Sequence, residues 1–226
     1  MRHRMYKGRI DYVHRSDGEI GREWFNVTVQ PNGDRTLRAH CEMDDVELLR
    51  DVVQTLDGDW LPVDVFVRLT QYGRFVGSGW FNFEEDGIQC ESVTADAGRV
   101  SQWIPTDGRV RLFASHPLAA DGMQCAGYDH SSGERIQTIR PWANPSPRAD
   151  GASGPIAAVG KKVIEYAGEE EITVPAGTFA ARHYLLHPSR PEWTPLETWV
   201  TGPDYLFVRL SWDVLEADYV LAELEH

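Results

Sequence analysis

The segment from Glu169 to Leu186 reads EEEITVPAGTFAARHYLL and carries a hairpin signature. A β-branched run at 172–174 enters a turn at Pro175-Ala176-Gly177, and an alternating run leaves it from Phe179 to Leu186. Proline presets φ for an early turn position and glycine accepts a positive φ later in the turn, so the chain can reverse here without strain. The segment therefore predicts two antiparallel strands.

A TWV strand at 198–200 follows this segment, and aromatic- and valine-rich strands then end in YVLAEL at 219–224. With these motifs the chain resembles the C-terminal half of DUF3108-type proteins and, more loosely, the LolA- and LolB-like half-barrels. The resemblance covers about the last third of the chain at the level of motifs, and the remainder only in strand order. It implies a mainly β fold, in which a large curved antiparallel sheet forms a half-barrel or lipocalin-like barrel around a hydrophobic cavity. It implies no reaction.

Composition limits the classes of partner. The chain has 226 residues, 42% of them hydrophobic, which is enough to bury the core of one large β domain or of two closely associated halves, and we expect the single domain over 1–226. Its formal net charge of -13 repels phosphate backbones and anionic lipid headgroups, so we expect neither nucleic acid nor a membrane as a partner. The three cysteines, Cys41, Cys90 and Cys125, lack C-x-x-C spacing and are predicted to be reduced thiols of a cytoplasmic protein.

The two ends of the sequence carry separate signals. The N-terminal residues MRHRMYKGRIDYV carry charges but no apolar run of signal-peptide length behind them, which also favours the cytoplasm. Members of the resembled families are usually exported, so the chain departs from them here. The last residues, Leu224-Glu225-His226, are interpreted as the start of a purification tag.

Turn signals divide the N-terminal block, residues 1–140, into short strands. Ser16-Asp17-Gly18-Glu19 and Pro31-Asn32-Gly33-Asp34 separate strands over 9–14, 20–30 and 35–43. The period then changes, because apolar residues at 49, 52, 53 and 56 follow helical spacing, while Asp44 can cap the first turn with Glu47 three residues later. These features predict one amphipathic helix over 44–56 that covers the apolar face of the sheet.

A meander is predicted after this helix, with strands over 61–72, 74–84 and 88–94 and further strands at 109–115 and 134–140. Glycines at 73, 77 and 79 stand among aromatic residues and are typical of bulges where a sheet curls. The segment 141–155 contains four prolines and two glycines, which predicts a long loop. The C-terminal strands at 156–223 then complete the sheet.

Strand parity separates two faces of the predicted sheet. One face is apolar and is expected to carry the helix. The other mixes aromatic and charged side chains, a composition typical of a pocket for an aromatic or amphipathic ligand, and also of an ordinary solvated face. The candidate site residues, including Tyr184 from the C-terminal block, are Trp24, Arg38, His40, Glu42, Phe66, Arg68, Tyr72, Trp80 and Tyr184.

The sequence offers little support for a metal or cofactor site. His183 and His187 have H-x-x-x-H spacing, but on a strand they lie too far apart to share one ion easily, so no metal is expected. The sequence has no G-x-S-x-G, no P-loop and no strand-linked G-x-G-x-x-G, which leaves α/β hydrolase, NTPase and nucleotide-cofactor classes without support. We therefore expect no cofactor.

Three functional hypotheses follow. The first is a cytoplasmic protein that binds a small hydrophobic or aromatic molecule in the half-barrel cavity. The second is a cofactor-independent lyase, decarboxylase or isomerase acting on an aromatic acid there, with Arg38 or Arg68 holding the carboxylate and His40, paired with Glu42, or Tyr72 moving the proton. The third is an interaction protein whose sheet edge pairs with another chain, for instance in a homodimer.

Overall fold

The computed structural model describes residues 2–146, 148 and 151–226, and strands dominate this part of the chain. Most strands alternate buried and exposed positions, as expected for a sheet with one face on a core. The strands are β1 (Arg4–His14), β2 (Gly18–Val29), β3 (Arg35–Met43), β4 (Leu48–Leu56), β5 (Pro62–Gln71), β6 (Arg74–Phe83), β7 (Gly87–Thr94), β8 (Gly98–Pro105), β9 (Leu112–Phe113), β10 (Ile136–Asn144), β11 (Ala158–Val174), β12 (Gly177–His187), β13 (Leu196–Thr201), β14 (Leu206–Trp212) and β15 (Ala217–Glu225).

These strands form one large curved sheet in the order β8-β7-β6-β5-β4-β3-β2-β1-β15-β14-β13-β12-β11-β10-β9. β1 to β8 make one antiparallel meander, β10 to β15 make another, and the two meet where β1 pairs with β15. The short β9 runs parallel to β10. The predicted mainly β fold, with a large curved antiparallel sheet and one helix, is confirmed.

The quoted hairpin forms where its turn chemistry places it. β11 ends at Val174, β12 begins at Gly177, and these two residues are paired in register. Gly177 has φ of 142°, a conformation that favours glycine. The predicted TWV strand also forms, as part of β13. Local turn residues were therefore sufficient to locate these reversals.

The α-helix, α1 (Leu118–Gln124), continues into a 3-10 turn (Cys125–Gly127) and packs on β14 from inside the curved sheet. Six of its seven residues are buried. A helix that is covered on nearly every side shows no amphipathic stripe, so its sequence carries no helical period to detect.

The predicted helix over 44–56 is wrong, because these residues form a turn followed by strand β4. The inward side chains of β4 alternate and include two buried polar ones, Arg50 and Gln54. Because these two inward residues are polar, the sequence of β4 does not alternate between apolar and polar residues. The exposed Leu49 and Val53 add apolar residues at helical spacing. Glu47, expected in the first helical turn, has φ of 48° and completes the reversal before the strand.

The loop predicted over 141–155 begins later than expected, because β10 continues to Asn144. Its far end crosses the inside of β6, where a Cβ on Gly77 would lie 2.6 Å from the ring of Pro155 and a Cβ on Gly79 3.1 Å from it. A register shift in the β5–β6 ladder also lies beside Gly77, as predicted for a curling strand. These glycines therefore admit the loop as well as bending the sheet.

The three cysteines are free thiols, and all three are buried. Burial raises the pKa of Cys41 and of Cys125, which keeps both in the unreactive thiol form. Within the described residues, no helix is long and apolar enough to cross a membrane.

Candidate functional site

Two cavities open inside the curved sheet and meet at a shared wall. The smaller, the apolar cavity, has a volume of about 370 Å³. Aliphatic side chains such as Ile20, Leu118 and Leu210 make up much of its wall, and aromatic and charged side chains complete it. The larger, the basic cleft, has a volume of about 650 Å³. Both are lined by four residues that we call the waist: His116, Asp121, Leu196 and Trp212. Volumes of this size are typical of small-molecule sites.

Asp121 of α1 is the carboxylate of the waist. It accepts a hydrogen bond of 2.6 Å from Nε2 of Gln124, whose Oε1 accepts one of 3.1 Å from the indole N–H of Trp142. Burial raises the pKa of Asp121 to about 7, although the positive charge of Lys162 and the Gln124 hydrogen bond act in the opposite direction. Asp121 is therefore an acid poised to exchange a proton near neutral pH inside a cavity.

Lys162 on β11 faces Asp121 across the basic cleft. Its side chain is almost fully buried, and burial lowers the pKa of its ammonium group, while the nearby Asp121 opposes that shift. Its Nζ lies 5.9 Å from the ring centroid of Trp142, within cation–π range. Burying a lysine beside a carboxyl group costs folding free energy because both groups lose hydration, and such pairs are common at functional sites.

His116 of the waist lies near Arg50, which lines the apolar cavity. His116 precedes α1 with φ of 80°, a strained value for a non-glycine residue, and Arg50 is a buried side chain of β4. Gly151 lies against both: a Cβ there would come within 2.5 Å of Arg50 Nη2 and 2.8 Å of His116 Cδ2. With φ of 63°, Gly151 holds its backbone close to these two groups at a position that favours glycine.

The rim of the basic cleft adds cationic and aromatic groups from the β12–β13 connection. His187 Nε2 lies 3.3 Å from Oε2 of Glu165. The guanidinium of Arg190 stacks on Trp193 at 4.6 Å, and the Trp193 ring packs edge-on against Trp212 at 5.4 Å. This edge of the cleft therefore offers positive charge beside flat apolar surface.

A buried carboxylate positions α1 and so positions Asp121. Glu23 of β2 accepts hydrogen bonds from the backbone N–H groups of Leu118 at 2.7 Å and Ala119 at 3.0 Å, and from the hydroxyl of Tyr12 at 3.0 Å. Burial raises the pKa of Glu23, and these donors partly offset the shift. Its hydrogen bonds are made to the protein itself, so we assign Glu23 a structural role.

Most of the residues predicted from sequence lie on the opposite, outward face of the sheet. Trp24 is 41% exposed and stacks on His40 with ring centroids 6.0 Å apart. His40 Nδ1 lies 2.8 Å from Asp51, and its Nε2 lies 3.5 Å from Glu42. Trp24, His40 and Arg38 border a shallow depression of about 450 Å³, whereas Glu42 does not line it.

The other predicted residues are not gathered into one place. Phe66 and Trp80 pair across β5 and β6 and are both exposed, whereas Arg68 lies 6.0 Å from the ring centroid of Phe75. Tyr72 is 62% exposed in the turn after β5. Tyr184 is fully buried, and its hydroxyl lies 2.8 Å from His130 Nε2. Parity separated the faces correctly, but these residues do not line the interior cavities.

Sequence reasoning missed Arg50, His116, Asp121 and Lys162. Two of them carried a usable signal, because Arg50 and Lys162 are charged residues at inward positions of strands. His116 and Asp121 lie in a connection with no recognisable period, so nothing local connected them to the other two. Among the described residues, no group of three or more His, Cys, Asp or Glu is arranged to hold a metal ion.

Comparison with known proteins supports the fold. The sequence matches no family model and no curated protein. The structure is similar to a beta-barrel-like protein of domain of unknown function DUF1849 from Brucella abortus, with a TM-score of 0.60 and 9% identity, covering 98% of this chain and 97% of that chain. A DUF3108-type or LolA-like resemblance is not confirmed by these comparisons.

Two further solved structures are similar at lower TM-scores. One is a protein from Parabacteroides distasonis proposed to be a lipoprotein, with a TM-score of 0.34 and 13% identity over 97% of this chain and 94% of that chain. The other is a protein with a YmcC-like fold from Bacteroides fragilis, proposed to be exported, with a TM-score of 0.31 and 11% identity over 98% and 95%. The similarity to the first structure, at a TM-score of 0.60, establishes a shared beta-barrel-like fold and nothing further.

Proposed function

We propose that this protein binds a small amphipathic molecule inside the curved sheet, across the apolar cavity and the basic cleft. The observation that carries the proposal is the waist, where Asp121 and His116 stand beside Leu196 and Trp212 between the two spaces. An apolar cavity joined to a polar one matches a ligand with an apolar body and a polar end.

Burial at the waist supports ligand binding over a purely structural role. Asp121 and Lys162 are ionisable groups whose pKa values are shifted by burial, an arrangement that costs folding stability and is common at functional sites. The outward depression beside Trp24 is open, and charged residues at its border form ion pairs such as His40–Asp51 and Lys7–Glu225, so it is the weaker candidate.

The direct test is native mass spectrometry of the purified protein, followed by displacement of a fluorescent naphthalenesulfonate dye by candidate ligands. Leu215→Glu places a carboxylate at the wall of the apolar cavity from a residue that is 40% exposed, so the variant should fold. We expect it to weaken binding, whereas Phe66→Ala on the outer face should not. Equal binding by wild type and Leu215→Glu would contradict the proposal.

A second function is supported by Asp121 itself. A carboxyl group with a pKa of about 7 can act as a general acid or base, so the cleft could carry out the cofactor-independent proton transfer of a lyase, decarboxylase or isomerase on an aromatic acid. The residues first considered for this step, His40 and Tyr72, lie outside the cavities. The test is turnover of aromatic acids by wild type and by Asp121→Asn: loss in the variant supports catalysis, and equal turnover contradicts it.

A further inference from the structure

The charge inside the basic cleft is opposite to that of the whole protein. The chain carries a formal net charge of -13. Among the described residues, the basic cleft is nevertheless lined by four lysine or arginine side chains, two histidines and one carboxylate, that of Asp121. The lysines and arginines are Arg148, Lys161, Lys162 and Arg190, and the histidines are His116 and His187. A local concentration of positive charge in an acidic protein attracts anions and focuses them into the cleft.

We propose that the bound molecule is an amphiphile with an anionic head group, which lies in the basic cleft while its apolar part passes the waist into the apolar cavity. This inference rests on the proposed function and names the chemical class of its ligand.

The position of the cations fixes the orientation of the ligand. Lys161 and Arg190 are exposed at the rim of the basic cleft, whereas Lys162 is buried deeper, beside the Trp142 ring. Arginine and lysine can both hold a carboxylate or a phosphate through charge-assisted hydrogen bonds. The head group would therefore meet cations both at the entrance and at the base of the cleft.

The apolar part of the ligand is matched on the other side. Trp193 and Trp212 offer flat surfaces next to the cations, and Leu196 leads from there to the apolar cavity. The far wall includes Met43 and Leu210, which suit a flexible hydrocarbon chain. A small hydrophilic anion such as free phosphate would leave this second space unused.

Calorimetric titration of the whole protein with three probes of equal chain length tests the inference. The probes are dodecanoate, dodecanol and dodecylamine, the two ionic ones kept below their micelle concentrations and dodecanol below its solubility limit. We expect dodecanoate to bind about tenfold or more tighter than dodecanol, since charge-assisted hydrogen bonds to two or more cations exceed about 1.4 kcal/mol. The preference should weaken as salt is raised.

Variants separate the head-group claim from the cavity claim. Replacing both rim cations, Lys161→Gln with Arg190→Gln, should lower the affinity for dodecanoate toward that of dodecanol, with Lys162 retaining part of the preference, and leave dodecanol unchanged. Arg99→Gln on β8, where the side chain is 82% exposed, serves as the matched control and should change neither. Dodecanol or dodecylamine binding as tightly as dodecanoate would overturn the anionic head group but leave the proposed function standing. No binding of any probe would overturn both.

Discussion

The carboxylate of Glu23 accepts hydrogen bonds from the backbone N–H groups of Leu118 and Ala119, so a residue of β2 holds the first turn of α1 inside the sheet. These donors have no partner within the helix, because the first N–H groups of any helix lack one. The same helix carries Asp121 one turn later. The geometry of the waist therefore depends on a hydrogen-bonded carboxylate that lies 95 residues earlier in the sequence than Leu118.

Glu23→Gln should destabilise the protein while keeping nearly the same side-chain volume. The glutamine amide can accept one of the helix N–H groups but presents its own N–H₂ to the other, which leaves buried donors facing each other. We expect the free energy of unfolding to fall by about 1–3 kcal/mol. Urea denaturation of Glu23→Gln and of Glu171→Gln, an exposed position on β11, measures the difference. Equal stability of the two variants would refute the structural role of Glu23.

Asp121→Asn should raise stability, and more so at higher pH. The pKa of Asp121 is about 7 in the folded protein and near 3.8 in the unfolded chain, so the folded state holds its proton more tightly. As the pH rises from about 4 to about 7, ionisation in the unfolded chain is favoured and the free energy of unfolding falls. Asparagine does not ionise, so the free energy of unfolding of the variant does not fall for this reason.

We expect the variant to exceed wild type by about 1–3 kcal/mol near pH 8, and by less near pH 5. Lys162 loses a nearby negative charge in the variant, which offsets part of the gain. Denaturation at both pH values, with Asp96→Asn in the exposed turn between β7 and β8 as control, provides the measurement. A gain that does not grow with pH would contradict the assigned pKa.

Gly77→Ala should destabilise the protein by displacing the loop that crosses β6. The new methyl group would lie 2.6 Å from Pro155 and 3.2 Å from the Gly154 backbone, and neither can move without the loop. Overpacking of this kind costs about 1–3 kcal/mol. Ser78→Ala, the next residue on the opposite face, should change the melting temperature little. Matching melting temperatures for the two variants would show that the loop yields freely.

His40→Ala should leave ligand binding unchanged. His40 contacts Trp24, Glu42 and Asp51 on the outer face, and its imidazole is well exposed. Exposed ion pairs contribute about 0–1 kcal/mol, so we expect only a small loss of stability. Dye displacement before and after the substitution measures binding. A loss of binding as large as that of Leu215→Glu would return the candidate site to the outer face.

Local chemistry was enough to predict much of the fold. The turn at Pro175-Ala176-Gly177 and the alternation around it determine β11 and β12, and similar signals located most strands of the first meander. Prediction failed where inward positions are polar. Arg50 and Gln54 interrupt the apolar alternation of β4, and their partners come from distant parts of the chain, as when the Ser115 hydroxyl donates to Gln54.

The candidate site could not be assembled from sequence. Its charged groups come from β4, α1 and β11, and only the curvature of the sheet brings Arg50, in the apolar cavity, and Lys162, in the basic cleft, to either side of Asp121. The mixture of aromatic and charged residues seen in the sequence lies on the outer face of β2 to β6. Parity could not say which face encloses a cavity, because that depends on the direction in which the sheet curls.

The most direct test of the interior site is a crystal structure of the protein grown with dodecanoate brominated at its terminal carbon. Bromine can be located by its anomalous scattering, independently of how the chain is traced. The account predicts a peak in the apolar cavity, near Leu118 and Leu210, with the carboxylate toward Lys162. A peak at the outer depression beside Trp24, or no ordered bromine at concentrations that saturate binding in solution, would contradict it.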